Sequence, residues 1–331
     1  MSILKALTYQ QNTFNTDKTY LHFLTPRFQA SAHIIAFLYQ EPSTVPVAVV
    51  KFPRIPGDDQ RLRRESQNLK LLETFLTLND KSIPHVLAEM EWQDYHLLVQ
   101  SVVPGSVLER SDVKKNPGHY IEKMVTWMIR LGRISKNQPL ALRDEKIDEP
   151  LKKIEYWLSG LNSEWCLSEK AKESIDKIRY AGLPRIFEHG DTSAPNILID
   201  DQGHIGVVDW ELANPSGYPA LDLFFFLMFV VIAESPAKQV DRELEKAFFN
   251  NNAWTQPFIE RYFRELEIPL DYVRPLFVLC WTRYVASMID RLVDPLSTPA
   301  MFEKKNIDWF KQNRYVRMLN ASLHMHNFVI E

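Results

Sequence analysis

Three polar side chains in the middle of the sequence have the types and the spacing that phosphoryl transfer requires. Asp191 is followed by Asn196, and Asp209 comes thirteen residues later at the end of the apolar run Val207-Val208. The reaction needs a carboxylate that orients an acceptor hydroxyl and accepts its proton, and oxygen ligands for Mg²⁺ on the phosphates. Asp191 suits the first role, and Asn196 and Asp209 suit the second because Mg²⁺ prefers hard oxygen ligands.

A purely structural interpretation of these residues is also available. Asp and Asn favour turns, so the segment could simply connect a hairpin to a helical region. Turn chemistry alone, however, predicts neither the spacing of Asp191 and Asn196 nor a further carboxylate at the end of the following strand. We therefore expect a phosphoryl-transfer site.

The two segments also carry a resemblance to a known family. His-Gly-Asp, four variable residues and Asn at 189–196, followed by Asp-Trp-Glu at 209–211, resemble the aminoglycoside phosphotransferase and choline kinase group, which shares its fold with protein kinases. The resemblance implies an α+β, bilobal protein kinase-like fold and the transfer of the γ-phosphoryl group of ATP, with Mg²⁺, to a small-molecule hydroxyl. It also implies that His189 braces the loop and takes no part in the chemistry.

The pattern along the chain agrees with two lobes. At 331 residues the chain exceeds what one compact core usually supports. Residues 1–103 contain strand-like runs and one helical repeat of leucines, and they predict a β-rich nucleotide-binding lobe. After a hinge near 100–105, residues 104–331 are dominated by helical periodicity and predict the catalytic and acceptor-binding lobe. The predicted strands are Ile34–Tyr39, Val45–Phe52 and His96–Val103; the predicted helices include Glu149–Leu158, Ser168–Tyr180, Leu221–Ala233, Arg242–Asn250 and Tyr272–Leu292.

A lysine and a glutamate are predicted to form the phosphate-binding ion pair of such a fold. The strand that ends Val-Ala-Val-Val-Lys51 is similar to the V-A-I-K strand of protein kinases. Glu65 lies on the apolar stripe of the next helix, where a carboxylate is costly to bury unless it is paired. Lys51 is the expected partner, although Arg61 and Arg64 on the same helix are alternatives.

The remaining nucleotide contacts are less well defined by the sequence. The segment Thr25–His33 stands where a phosphate-covering loop is expected and contains no glycine. Ser31 is the predicted phosphate contact there, through its hydroxyl or its backbone amide. In the hinge, the backbone groups of Ser101 and Val103 are predicted to bind the adenine edge.

The acceptor is expected to be a small molecule such as an aminoglycoside, a sugar or an amino alcohol. Only about a dozen residues separate Asp209 from the helix expected at Leu221, and there is no Ala-Pro-Glu sequence, so no peptide-docking segment can be built. Asp222, by the resemblance, is either a helix N-cap or a brace of the catalytic loop. Trp281, Arg283, Tyr284 and Asp290 lie on a late helix, whose many large apolar residues are interpreted as core more readily than as pocket.

Composition excludes several other classes of protein. The formal charge of -3 offers no basic surplus for nucleic acid. The two cysteines lack zinc-type spacing and suit a reducing cytoplasm. The longest apolar run, Leu223 to Ala233, is too short for a membrane span, and the N-terminus lacks the apolar run of a signal peptide.

Two alternatives to an active small-molecule kinase remain open at this point. One is a pseudokinase that binds a nucleotide or a partner without turnover. The presence of all five expected side chains argues against it; they are Lys51, Glu65, Asp191, Asn196 and Asp209. The other is an unusual protein kinase, which the short segment after Asp209 disfavours.

Overall fold

The computed structural model describes residues 18–24, 33–76, 80–136, 147–235, 239–250, 252–294 and 296–324. These residues form two compact units. The first contains the chain up to Leu108 together with His189–Pro215. The second contains Glu109–Glu188 and Ser216 onwards. The predicted α+β class with a β-rich N-terminal part and a helical C-terminal part is confirmed.

The extent of the first unit differs from the predicted boundary between residues 103 and 104. The segment His189–Pro215 clusters with the N-terminal residues. The segment is joined to the N-terminal residues by hydrogen bonds between strands. The short strand after the hinge pairs with the first strand of this segment, and that strand pairs with the second strand of the segment. These strands are β6 (Ser106–Val107), β8 (Ile197–Ile199) and β9 (Ile205–Val207).

A five-stranded antiparallel sheet forms most of the first unit, in the order β1-β2-β3-β5-β4. Its strands are β1 (Thr19–Leu24), β2 (His33–Gln40), β3 (Ala48–Pro53), β4 (Val86–Trp92) and β5 (Tyr95–Gln100). Alternation along the strands separates two faces. One face carries the buried apolar core, formed by Ala36, Leu38, Ala48, Val50, Phe52, Met90, Leu97 and Val99. The opposite face carries Lys51.

The fifth strand is shorter than the predicted His96–Val103. It ends at Gln100, and residues 101–104 are not strand. The helix α1 (Gln60–Leu72) follows β3 and buries Leu62, Leu69 and Leu72 on one face, as its periodicity predicts.

The second unit is built from helices. Its elements are α2 (Arg110–Lys115), α3 (Pro117–Ser135), α4 (Asp148–Trp157), α5 (Ser159–Trp165), α6 (Leu167–Arg179), the strand β7 (Ile186–Glu188), α7 (Leu221–Glu234), α8 (Val240–Phe249), α9 (Gln256–Glu265), α10 (Val273–Leu292), α11 (Pro299–Gln312) and α12 (Arg314–His324). The strand β10 (Asn214–Gly217) precedes α7. Helical turns of the 3₁₀ type include Ala194–Asn196 and Trp210–Leu212 in the first unit and Leu270–Tyr272 in the second.

Two helices form the centre of this unit. Helix α7 is apolar on every side and is almost entirely buried, which is the behaviour of a core helix. Helix α10 packs against α4, α6, α7 and α12. Trp281 of α10 is fully buried and stacks on Tyr315 of α12, so it belongs to the core, as its position predicted. Among the described residues, no helix combines the length and apolar character needed to cross a bilayer.

Cationic side chains from neighbouring elements bind the C-terminal carbonyls of several helices in the second unit. Arg110 donates to the carbonyls of Ala233 and Ser235 at 3.0 Å each, and also to that of Ile232, at the end of α7. Arg274 donates to the carbonyls of Ser322 and Leu323 in α12 at 3.1 and 3.2 Å. Carbonyls in the last turn of a helix generally lack a partner within that helix, and a cation placed there also complements the helix dipole.

We expect Arg110→Met to lower the free energy of unfolding by about 1 to 2 kcal/mol, because three carbonyls at the end of α7 lose a charged donor while the aliphatic stem is kept. Chemical denaturation followed by circular dichroism measures the change. Arg242→Met removes an exposed arginine from α8 and serves as the matched control. Equal stabilities of the two variants would contradict a capping role.

Candidate functional site

The centre of the candidate site is a buried ammonium between two carboxylates. Lys51 of β3 donates to both oxygens of Glu65 at 2.8 and 2.9 Å, and to Oδ1 of Asp209 at 2.9 Å. Lys51 is 5% exposed and Glu65 is fully buried. Gln100 at the end of β5 donates to Glu65 at 3.0 Å. The contact between Lys51 and Glu65 expected from the sequence is therefore present, and Arg61 and Arg64 do not take its place.

The charges in this cluster stabilise one another. Burial by itself lowers the pKa of Lys51, but the carboxylates of Asp209 and Glu65 outweigh burial and hold that pKa above its ordinary value. Burial likewise raises the pKa of Asp209, and the Lys51 ammonium outweighs it, so the pKa of Asp209 lies below its usual range. Lys51 is therefore charged and Asp209 ionised at neutral pH.

The loop that carries Asp191 is held by hydrogen bonds between side chains and its main chain. The Asp191 N–H donates to Nδ1 of His189 at 3.2 Å, so Nδ1 is the acceptor nitrogen of that ring. The other nitrogen, Nε2, must then carry the hydrogen, which it donates to the Val208 carbonyl at 3.0 Å. His189 is also packed edge-on against Trp210. The imidazole links the loop to the strand end, which is a bracing position.

Asn196 closes the same loop from the other side. Its Nδ2 donates to the Asp191 carbonyl at 3.0 Å, and its main-chain carbonyl accepts from the Val208 N–H at 2.9 Å. The 3₁₀ turn Ala194–Asn196 directs the Asn196 side chain back toward Asp191. Because the amide nitrogen is engaged, the oxygen of Asn196 is the atom left to bind a cation. The N–H and the main-chain carbonyl of the half-buried Asp191 are thus both hydrogen-bonded, and neither bond involves its carboxylate.

The turn after β9 presents two carboxylates in different directions. Asp209 has a left-handed backbone with φ 71°, which is unfavourable for a residue other than glycine. The conformation is held by Trp210, which is fully buried and donates from Nε1 to the Val207 carbonyl at 3.0 Å. Asn68 of α1 donates to the carbonyls of Trp210 and Ala213 at 2.8 and 3.3 Å.

Glu211, the second carboxylate of the turn, contacts the sheet and α1. Its Oε2 lies 2.6 Å from Nε2 of His33, and Arg61 donates to its Oε1 at 3.2 Å. Burial and the charge of Asp209 raise the pKa of Glu211 to about 7. Burial and the charge of Lys51 lower the pKa of His33 to about 4. The imidazole is therefore neutral near pH 7, and the carboxyl of Glu211 is partly protonated.

The hinge residues lie directly after β5. The Ser101 N–H donates to the His85 carbonyl at 2.8 Å, and the Ser101 hydroxyl accepts from the His85 N–H at 2.8 Å. These two bonds leave the Ser101 carbonyl outside the sheet pairing. Val103 is buried. Since Lys51 is paired with Leu98 in the sheet, Leu98 and Gln100 project from the same face as Lys51, and the hinge continues from that edge.

Two expectations need correction or lie outside the described residues. Ser31, the predicted phosphate contact, is not among the residues that the structure describes. Asp222 is not the N-cap of α7: the cap position is Ala220, with φ 69°, and Asp222 lies in the first helical turn.

Sequence reasoning missed three residues that hold the site together. Gln100, Asn68 and His33 all make buried or nearly buried hydrogen bonds to it. For Asn68 a signal existed, because it stands with Glu65, Leu69 and Leu72 on the buried stripe of α1, where a polar residue requires a partner. Nothing local distinguishes His33, whose partner lies 178 residues away.

A second cluster with ligand-type side chains occurs on the same unit, at Asp59, Glu91 and His96. Arg63 stands between two of its members and donates to Asp59 and Glu91, each at 2.9 Å. This arginine supplies the positive charge that a metal ion would bring. We therefore interpret the cluster as an ion-pair network.

The described fold and these residues define a phosphotransferase with a protein kinase-like fold. The chain belongs to the phosphotransferase enzyme family named APH, whose family model matches residues 39–258. By this membership it is a small-molecule phosphotransferase. No curated protein sequence matches the chain.

Solved structures are similar in fold at low sequence identity. APH(2")-IIia in complex with GDP and kanamycin has a TM-score of 0.58 at 12% identity, covering 96% of each chain. The aminoglycoside phosphotransferase APH(3'')-Id from Streptomyces rimosus ATCC10970, in complex with ADP and streptomycin, has a TM-score of 0.53 at 16% identity, covering 85% of this chain and 97% of that chain. The choline kinase LicA from Streptococcus pneumoniae has a TM-score of 0.50 at 12% identity, with 93% and 99% covered.

We expect Gly190→Ala to destabilise the protein by about 2 to 4 kcal/mol, since Gly190 has φ 83° and an added Cβ would lie 2.6 Å from the Leu212 carbonyl oxygen. Gly57→Ala is the matched control: Gly57 has φ 81° but open space around it, so only the backbone cost of about 1 kcal/mol is expected. Denaturant titrations of both variants separate the two costs. Equal losses would show that the contact with Leu212 is unimportant.

Proposed function

We propose that this protein transfers the γ-phosphoryl group of ATP to a hydroxyl group of a small molecule, with Asp191 as the catalytic residue. The observation that supports the proposal most strongly is the Lys51 ammonium held between Glu65 and Asp209 at 2.8 to 2.9 Å. A phosphate-facing lysine fixed by a helix-borne glutamate is what this reaction requires of the protein.

Asp191 is suited to orient the acceptor hydroxyl and to take its proton. Its backbone is fixed by His189 on one side and by Asn196 on the other. The carboxylate is half-buried and therefore accessible to a substrate. Because the loop is preorganised, the carboxylate can meet the hydroxyl without a rearrangement of the main chain, and positioning of this kind accounts for much of the rate in phosphoryl transfer.

Lys51 is suited to bind the phosphates of the nucleotide. In the structure its three donors contact Glu65 twice and Asp209 once. Glu65 is buried and cannot turn away, so it keeps the ammonium in place. The contact with Asp209 is the weaker restraint, since the Asp209 side chain is 37% exposed.

The residues also fit a magnesium ion. Asn196 has its amide nitrogen engaged, which leaves its oxygen, and Asp209 is ionised with only Oδ1 bonded to Lys51. A carboxylate and an amide oxygen form the donor set that Mg²⁺ takes from proteins. When bound, Mg²⁺ would neutralise charge on the phosphates, and Asn196 and Asp209 would hold it.

The nucleotide base is proposed to contact the hinge through Ser101 and Val103. The Ser101 carbonyl stands outside the sheet pairing, which supports it as an acceptor for an exocyclic amino group. Relatives of similar fold have been solved with GDP and with ADP. We propose ATP as the donor of the phosphoryl group.

The acceptor is proposed to be an aminoglycoside, a sugar or an amino alcohol. The segment from Asp209 to the start of α7 at Leu221 contains only a 3₁₀ turn and the strand β10, which is too short to dock a peptide. Similar folds occur in proteins solved with kanamycin and streptomycin and in a choline kinase. A cytoplasmic location is the matching proposal, since ATP is available there and neither described cysteine is in a disulfide.

An ATP-consumption screen against sugars, amino alcohols, aminoglycosides and nucleosides tests the activity. With an accepted substrate, we expect Asp191→Asn to lower kcat by about 10²- to 10⁴-fold because the proton acceptor is lost while the shape is kept. The KM for ATP should be nearly unchanged. Tight nucleotide binding without turnover of any acceptor would instead favour a pseudokinase, and phosphorylation of generic proteins would favour a protein kinase.

A pair of variants separates the structural role of the buried ion pair from its role with phosphate. Lys51→Met should lower the free energy of unfolding by about 3 to 5 kcal/mol, because Glu65 is left buried without its cation. Lys51→Met combined with Glu65→Gln should recover much of that stability, since the fully buried carboxylate is neutralised and Asp209, whose side chain is 37% exposed, remains in contact with water. Both proteins should still lack activity. Recovery of activity along with stability would refute a phosphate-binding role for Lys51.

A further inference from the structure

The turn that carries Asp209 is tied to the sheet by two separate contacts. Asp209 contacts Lys51 of β3, and Glu211, two residues on, contacts His33 at the start of β2. In the sheet His33 is paired with Pro53 and Ile35 with Lys51. Side chains two residues apart on a strand share a face, so His33 and Lys51 project from the same face of the sheet. Both therefore reach the same turn.

The Glu211 carboxylate is already satisfied by protein groups. Its Oε2 lies 2.6 Å from His33 Nε2, and its Oε1 accepts from Arg61 at 3.2 Å. The side chain of Glu211 is 12% exposed and that of His33 is 7% exposed. A short hydrogen bond between nearly buried partners fixes the direction of both side chains, whereas Arg61 is largely exposed and adds little restraint.

The turn needs such restraint because Asp209 occupies a left-handed backbone conformation. Trp210 bonds within the turn itself, and Asn68 holds the carbonyls of Trp210 and Ala213 from α1. In the part of the chain that the structure describes, the contact with His33 joins the turn to β2. Together with the contact between Asp209 and Lys51, it sets the orientation of the turn relative to the strand pair that presents Lys51.

We propose that His33 and Glu211 are positioning residues whose hydrogen bond holds Asp209 in the orientation that binds the metal ion. The inference rests on the proposed role of Asp209 as a metal ligand. In this proposal Glu211 acts through its bond to His33 and leaves the metal to Asp209 and Asn196, in keeping with the contacts of both of its oxygens with His33 and Arg61. Residues that orient a metal ligand without binding the metal typically lower metal affinity by about 10- to 100-fold when they are removed.

The opposite hypothesis makes Glu211 a ligand in its own right, and it predicts a different result for the double variant His33→Leu/Glu211→Gln. If Glu211 bound the metal, Glu211→Gln would remove the charge of a ligand and would weaken metal binding further in the His33→Leu background. If Glu211 acts only through its bond to His33, the second substitution adds no further loss. The comparison of the double variant with His33→Leu therefore decides between the two.

The experiment follows binding of a fluorescent ATP analogue by the full chain at increasing Mg²⁺, and again in EDTA. We expect His33→Leu to raise the Mg²⁺ concentration at half-saturation by about 10- to 100-fold while leaving metal-free binding of the analogue unchanged. His33→Gln places an amide donor near the position of Nε2 and should restore most of the loss. An unchanged or lower Mg²⁺ requirement in His33→Leu would overturn the proposal.

Matched controls separate positioning from general destabilisation. His96 is another buried histidine of the same sheet, with Nδ1 2.9 Å from Glu91, and His96→Leu should leave the Mg²⁺ requirement unchanged. A similar rise in His96→Leu would contradict a specific role of His33. The double variant His33→Leu/Glu211→Gln should be no worse than His33→Leu alone, because the two residues act through one bond. A larger loss of metal affinity in the double variant than in His33→Leu would contradict action through a single bond.

Asp209→Asn distinguishes a failure of this inference from a failure of the proposed function. If Asp209→Asn removes the Mg²⁺ dependence and His33→Leu does not alter it, only the positioning role is wrong. If Asp209→Asn leaves the dependence intact, the assignment of Asp209 as a metal ligand is wrong, and this inference falls with it.

Discussion

The Lys51 ammonium is the point where the main parts of the first unit meet. The strand β3 supplies the lysine, α1 supplies Glu65, and the turn after β9 supplies Asp209. A buried ion pair gives little net stability, because removing charges from water costs about as much as their attraction returns. Its value here is geometric. Each carboxylate can satisfy the ammonium only from one direction, so the helix and the turn are both fixed relative to the sheet.

Much of this arrangement could be predicted from the sequence, for identifiable physical reasons. The spacing of Asp191, Asn196 and Asp209 carries the resemblance to the phosphotransferase family, and that resemblance was confirmed. Glu65 was placed opposite Lys51 because a carboxylate on an apolar stripe needs a cation. The apolar run of α7 was correctly predicted to be a buried helix, because it is too short to cross a bilayer.

Other features could not be derived with the same reasoning. The strand β4, Val86–Trp92, was missed because only Glu89 and Glu91 alternate with apolar neighbours, so the period of two extends over too few residues. The sequence also provided no indication that His189–Pro215 clusters with the N-terminal residues. Pairing of β6 with β8 joins segments about ninety residues apart, and such pairing leaves no local trace.

The discontinuous first unit has a consequence for how the protein is made. Lys51 and Asp209 are separated by 158 residues, and about half of the intervening chain, Glu109–Glu188, belongs to the second unit. During synthesis from the N-terminus, the five-stranded sheet and α1 are complete long before the turn that carries Asp209 has left the ribosome. Until then, Lys51 has Glu65 alone as its counter-charge, and Asn68 faces no carbonyl of the turn. The nascent chain thus acquires the sheet that carries Lys51 and the turn that carries Asp209 at different times, and the first unit can be completed only when residue 215 has emerged.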